Sequence, residues 1–143
     1  MKSHRLVQYV TKTYGINEAE HLYDELNHRH FELGNKLNDE EMLAEAAMKI
    51  GVERRETLQF LKSNEGLGEI RAAQGVLRKM GISSIPTFIV DGKYCVSGAL
   101  DGDSLARYFR DLLPELDQDG TSTSIFARVL KIPETVMKQD LIL

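Results

Sequence analysis

Between Gly81 and Ala99 the chain carries its only convincing strand signals, in a sequence that otherwise reads as one amphipathic helix after another. Thr87, Phe88, Ile89 and Val90 are β-branched or aromatic, the side chains that fit a pleated, half-buried surface. Asp91-Gly92 follows, a pair that tolerates positive φ and so closes a tight hairpin turn. Lys93, Tyr94, Cys95, Val96 and Ser97 then read as the returning strand. Pro86 stands just before the first strand, where its missing N–H costs no ladder bond. Local sequence leaves the Ile85–Pro86 bond open, either trans at the start of the strand or cis in the turn.

Ahead of the hairpin, five apolar stripes follow helical spacing. Ser3 is the expected N-cap of a first helix with Leu6, Val7 and Val10 on one face, ending near Gly15. Asn17 with Glu20 resembles a capping box for a second helix, whose stripe is Ala19, Leu22, Tyr23, Leu26 and Leu33, with Gly34 as its stop. Asn38 with Glu41 repeats the signal, and Met42, Leu43, Ala46, Ala47 and Ile50 follow up to Gly51. A short helix from Glu53 to Lys62 presents Leu58 and Leu61. Beyond Ser63-Asn64, a longer one carries Ile70, Ala73, Val76, Leu77 and Met80 to Gly81. Five one-sided stripes need partners, so a helical bundle is the expected solution. After the hairpin, a final helix from Asp101 to Leu113 presents Leu105, Tyr108, Phe109, Leu112 and Leu113 to one face of the sheet, and Pro114 ends it. Residues 117–124 read as a flexible linker. The tail to Leu143 is expected to hold a short helix around Phe126, Val129 and Leu130, broken by Pro133.

The chain has 143 residues, enough for one domain with a real core. A net charge of −4 leaves no basic face for nucleic acid, and no apolar run approaches a membrane span. The N-terminus lacks the apolar core of a secretory signal. With one cysteine there is no intramolecular disulfide, which suits a reducing compartment, and the cytoplasm is the expected location.

The motif Gly81-Ile82-x-x-Ile85-Pro86-Thr87-Phe88, a strand, Asp91-Gly92-Lys93-Tyr94 and then Val96-Ser97-Gly98-Ala99 before a helix resembles the C-terminal half of the DsbA-like thioredoxin-fold family, in particular its FrnE-like branch. The resemblance runs from about residue 3 to 113. It implies an α+β, mainly helical domain over residues 1–116, with a helical insertion at 3–80, the hairpin at 86–97 and the terminal helix at 101–113. Residues 117–143 are then linker and tail. It also implies thiol–disulfide oxidoreduction, a cis bond before Pro86, and Ile85 and Pro86 as substrate-binding residues facing a redox-active Cys-x-x-Cys. Relatives carry that motif in a strand–helix–strand unit ahead of the insertion. Here Met1 leads almost directly into the insertion-like helices and Cys-x-x-Cys is missing. The chain therefore reads as a degenerate or truncated member, fold without its first βαβ unit, and no catalytic residue is nominated. Where relatives usually carry Gln and Pro after Ser-Gly-Ala, Leu100 and Asp101 stand here.

Without a strand from that unit, Thr87–Val90 is left as an apolar edge, a liability for association. A second copy of the chain, the tail or a partner strand are the expected covers, and a thiol- or disulfide-bearing peptide is the expected ligand. The rival reading is a non-catalytic binding or assembly module that uses this edge. A glutathione-dependent transferase or isomerase relative ranks last. Cys95, mid-strand and without a second thiol, reads as a small strand residue. His21, His28 and His30 with Glu32 lack converging zinc spacing and read as solvated, so neither metal nor cofactor is expected. Asp39, Glu40 and Glu41 read as first-turn acids that favour a helix dipole.

Overall fold

Leu6, Val10, Leu22, Leu43 and Thr57 are wholly shut off from solvent and mark where four helices meet. The computed structural model describes residues 1–90, 94–115 and 124–140. Its helices are α1 (Lys2–Thr13), α2 (Ile16–Asn27), α3 (Glu40–Lys49), α4 (Arg54–Lys62) and α5 (Leu67–Lys79). A hairpin follows, β1 (Thr87–Val90) and β2 (Tyr94–Ser97), then α6 (Gly102–Leu112) running into a 3-10 turn (Leu113–Glu115). Two short helices, α7 (Ile125–Val129) and α8 (Glu134–Met137), complete the described chain. The architecture is α+β, mainly helical with one two-stranded antiparallel sheet. The expected Asp91-Gly92 turn, the first residue of the returning strand and residues 117–123 of the expected linker lie outside the described residues.

α1 packs on α2 and α3 on α4, and the pairs close over Leu6, Val10, Ala19, Leu22, Leu26, Met42, Leu43, Ala46, Ala47, Val52, Phe60 and Leu61. Ala46 and Ala47 are small enough to admit a close neighbour, while each buried leucine contributes about 1.5–3 kcal/mol. Arg5 is buried at 5% exposure and stands at the end of α4. It donates to the carbonyls of Ser63 (2.7 Å), Phe60 (3.2 Å) and Glu65 (2.7 Å), with its guanidinium 5.1 Å from the Phe60 ring centre. The last carbonyls of a helix lack internal partners and carry its negative pole, so the cation is held without a carboxylate among these contacts.

Several helix boundaries differ from the sequence expectation for local reasons. α1 starts at Lys2, so Ser3 lies inside it and is buried rather than capping. α2 starts at Ile16, behind Gly15 at φ 113°, and Asn17 lies within its first turn. A side chain at Gly15 would meet Gln139 Oε1 at 2.8 Å, and that same oxygen accepts the Ile16 N–H at 3.0 Å. The cap thus comes from the far end of the sequence. Asp39, not Asn38, caps α3, accepting from the N–H groups of Glu41 and Met42. After Asn27 the chain widens into a π-helical turn, His28–Glu32, closed by Leu33 N–H to the His28 carbonyl at 3.3 Å. The extra residue in that turn rotates Leu33 off the α2 stripe, and it is 60% exposed. Tyr23 is also exposed. In α4 it is Thr57, Phe60 and Leu61 that are buried, while Leu58 is half-buried.

The tail makes two helices where one was expected: α7 ends at Val129 in a turn with Lys131 at φ 54°, where the Ile132 N–H returns to the Ala127 carbonyl at 2.8 Å, and Pro133 then stands as N-cap of α8. It packs back on the bundle: α7 lies on α5, Ala127 and Val136 are buried, Gln8 Nε2 donates to the Leu130 carbonyl at 2.8 Å, and Lys131 pairs with Glu69 at 3.5 Å. In α6, Leu112 is buried and Leu105 and Tyr108 are half-buried, but Phe109 and, at the first residue of the 3-10 turn that continues it, Leu113, both expected against the sheet, are 40% and 59% exposed. No helix among the described residues is long and apolar enough to cross a membrane.

Candidate functional site

The hairpin positions the residues singled out by sequence. Met80 and Gly81 end α5, with Ile82 N–H returning to the Leu77 carbonyl at 3.0 Å, and Gly81 at φ 72° supplies the left-handed turn that ejects the chain toward Ile85. The Ile85–Pro86 peptide bond is cis. Ile85 is 95% exposed, an apolar side chain standing in solvent beside the first strand, and Pro86 is exposed too. Thr87 Oγ1 donates to the Ser84 carbonyl at 2.8 Å and lies 3.0 Å from Ser97 Oγ, tying the turn to both strands.

The register decides which backbone groups are free to act. Thr87 faces Ser97, Phe88 faces Val96, Ile89 faces Cys95 and Val90 faces Tyr94. Gly98 N–H donates to the Pro86 carbonyl at 2.9 Å, so Pro86 and Gly98 form a hydrogen-bonded pair. In an antiparallel ladder such pairs alternate. The N–H and C=O groups of Phe88 and Val90 therefore point into the hairpin, and those of Thr87 and Ile89 point out along the other edge of β1. Among the described residues, β1 pairs with β2 alone. Two donors and two acceptors at strand spacing make an edge that an extended peptide can continue.

The side chains sort by face. Phe88, Val90, Tyr94 and Val96 share one face and are half-buried, whereas Cys95 and Ser97, on the other face of β2, are exposed. Cys95 is the chain's only thiol and sits mid-strand, not at a helix N-terminus. At the turn after β2, Asp101 caps α6, and the Ser104 backbone N–H and hydroxyl hold its carboxyl below the usual carboxylate range. Asp101 thus has a local structural role at this turn. Sequence reasoning had not singled it out as a cap, although Asp before a helix is the ordinary signal.

A second cluster of groups with shifted titration lies in the bundle. Tyr9 and Tyr14 both donate to Glu56 Oε1, at 2.6 Å each. These two phenols hold the Glu56 carboxyl below its usual range, and Tyr14 is pushed up to about 12, chiefly by the same bond. Tyr9 is also raised, by burial first and by the bond to Glu56 second, and its ring stacks on Phe60 at 4.4 Å. No periodicity of single residues announces this cluster, since Glu56 lies 42 positions beyond Tyr14. The histidines engage neighbours on their own segment: His28 Nδ1 lies 3.1 Å from Glu32 and His30 Nδ1 2.9 Å from the Asn35 carbonyl. Among the described residues, no three acidic, histidine or cysteine side chains gather as a metal site. An open groove of about 570 Å³ is lined by Glu18, His21, Asp24, Glu25, His28, Lys49 and Ile50, far in sequence from the hairpin.

A helical bundle followed by a proline-led hairpin and a terminal helix is consistent with the α+β fold of a DsbA-like thioredoxin domain. The family model described as DSBA-like thioredoxin domain matches residues 1–110, and the chain belongs to that family. No curated protein and no solved structure matches the chain.

Proposed function

We propose that this sequence retains the peptide-holding edge of a disulfide oxidoreductase family without the dithiol that turns disulfides over. The observation that carries this reading is the single cysteine of a chain in that family, Cys95, exposed on β2. Thiol–disulfide exchange proceeds by attack of one thiolate and resolution by a second thiol, and turnover needs both. The reading assigns binding to Ile85 and Pro86 together with the outward backbone groups of Thr87 and Ile89. An extended segment bearing a thiol or disulfide lies along β1 and places an apolar side chain on Ile85. The reading extends to the FrnE-like branch, which the motif over Gly81–Ala99 resembles. A single thiol suits a reducing compartment, so the proposed location is the cytoplasm.

The test combines two assays on the full chain. Insulin reduction in dithiothreitol should run at the uncatalysed rate, and calorimetric titration with extended cysteine peptides should show weak binding that Thr87→Pro reduces. Turnover comparable to an intact dithiol relative would refute the absence of catalysis. Binding that is undiminished in Thr87→Pro would remove β1 as the docking edge.

A further inference from the structure

The apolar surface of α6 is wider than one neighbour needs. At about 100° per residue, Tyr108, Leu112, Leu105, Phe109, Gly102, Leu113 and Ala106 fall in that order around an arc of about 160°. Leu105, Tyr108 and Leu112 occupy one half of it and are buried or half-buried. Gly102, Ala106, Phe109 and Leu113 occupy the other half, and all four are exposed. Their spacing of four, three and four residues is the alternation of a coiled-coil seam. Asp103 and Arg110, one heptad apart, lie together along the far rim of that seam, and both are exposed. Among the described residues no ion pair engages either of them.

These positions are complementary to themselves when the helix is reversed. A two-fold axis crossing α6 between Arg107 and Tyr108 sets Ala106 against Phe109 of the second copy and Gly102 against its Leu113, a small residue opposite a large one each time. The same operation brings Asp103 of each copy to Arg110 of the other, giving two opposite-charge pairs on the rim. A parallel arrangement would instead put the two Asp103–Arg110 rims on opposite sides of the seam, where neither residue meets its opposite charge. We infer that α6 is a homodimer interface, pairing antiparallel with α6 of a second copy through the Gly102–Ala106–Phe109–Leu113 seam and the Asp103–Arg110 rim. One helix of this length buries less than a standard stable interface, so the dimer is concentration-dependent. The proposed pairing uses no backbone group of β1, so it does not rest on the peptide-binding reading.

Sedimentation equilibrium on the full chain tests it. Dimer is expected to be populated at about 100 µM and to dissociate on dilution. Phe109→Asp should leave monomer throughout. Asp103→Arg and Arg110→Asp each create two like-charge contacts, and each should weaken self-association about tenfold. Mixing these two variants restores both opposite-charge pairs, so the mixture should form a one-to-one heterodimer at wild-type strength, with circular dichroism showing each variant folded. Three results would each overturn the assignment: a wild type that stays monomeric at the higher concentration, a dimer indifferent to Phe109→Asp, or a mixture no tighter than its components.

Discussion

Gln8 and Leu130 stand 122 positions apart, yet the Gln8 amide donates to the Leu130 carbonyl at 2.8 Å. That bond fastens the C-terminal segment, which lies beyond the matched family region, onto the first helix of the bundle. At the other end of the segment, Gln139 caps α2 at Ile16, and Asn17 Nδ2 reaches the Asp140 carbonyl at 3.3 Å. The tail is therefore a working part of the bundle, not an appendage. Deleting residues 116–143 should lower unfolding stability by about 2–4 kcal/mol, from lost apolar burial at Ala127 and Val136 and the orphaned polar groups. Urea denaturation measures this, and an unchanged midpoint would contradict it.

The junction has a second sensitive point. Gln8 Oε1 is buried without a hydrogen-bond partner, and a side chain on Gly66 would meet it at 2.7 Å. Gly66 also holds φ 75°, a backbone conformation that alanine disfavours. Gly66→Ala is expected to cost about 1–3 kcal/mol in the same denaturation experiment, from the clash and the φ together. Ala at the open position Gly68, inside α5, should instead be neutral or slightly stabilising.

Arg5 closes α4 from outside. Arg5→Met keeps much of the packing on Phe60 but removes the donors to Phe60, Ser63 and Glu65, so about 2–4 kcal/mol should be lost. Arg5→Lys should recover only part of it, because an ammonium cannot reproduce the planar fork that spans three carbonyls. Full recovery with lysine would mean that charge alone, not geometry, holds the turn.

The Tyr9–Tyr14–Glu56 cluster makes stability depend on pH at both extremes. The Glu56 carboxyl is depressed in the folded state, so its contribution is present above the unfolded value near 4.3 and is lost as pH falls through the folded one. Tyr14 is raised to about 12, so its contribution is present below the unfolded value near 10 and is lost as pH rises toward the folded one. Replacing Glu56 with Gln should flatten the acid limb of the stability curve. Tyr14→Phe should flatten the alkaline limb and cost about 1–2 kcal/mol at pH 7. Denaturation midpoints between pH 2 and 11 supply the check, and limbs of equal slope in wild type and variants would contradict the assignment.

The sequence made the hairpin legible because a four-residue β-branched and aromatic run has few other uses, and the observed β1 spans the expected Thr87–Val90. The α3 stripe was equally clear: Met42, Leu43, Ala46 and Ala47 are all buried. What escaped depended on contacts between distant segments or on departures from ideal spacing. No local rule gives Gly15 a cap from Gln139, and no period anticipates the π-helical turn that carries Leu33 out to solvent. Phe109 and Leu113 lie on one continuous apolar arc with Leu112, and the sequence does not say which half of that arc a neighbour covers. At the candidate site, Ile85 and Pro86 were legible as residues. The outward groups of Thr87 and Ile89 required the register.

Amide chemical shifts on titration with an extended cysteine peptide test the central claim most directly. The account predicts saturable shifts concentrated at the N–H groups of Thr87 and Ile89 and at Ile85, with Phe88 and Val90 much less affected because their groups face β2. Shifts confined to the α2–α3 groove, or a hairpin that does not respond at all, would contradict it.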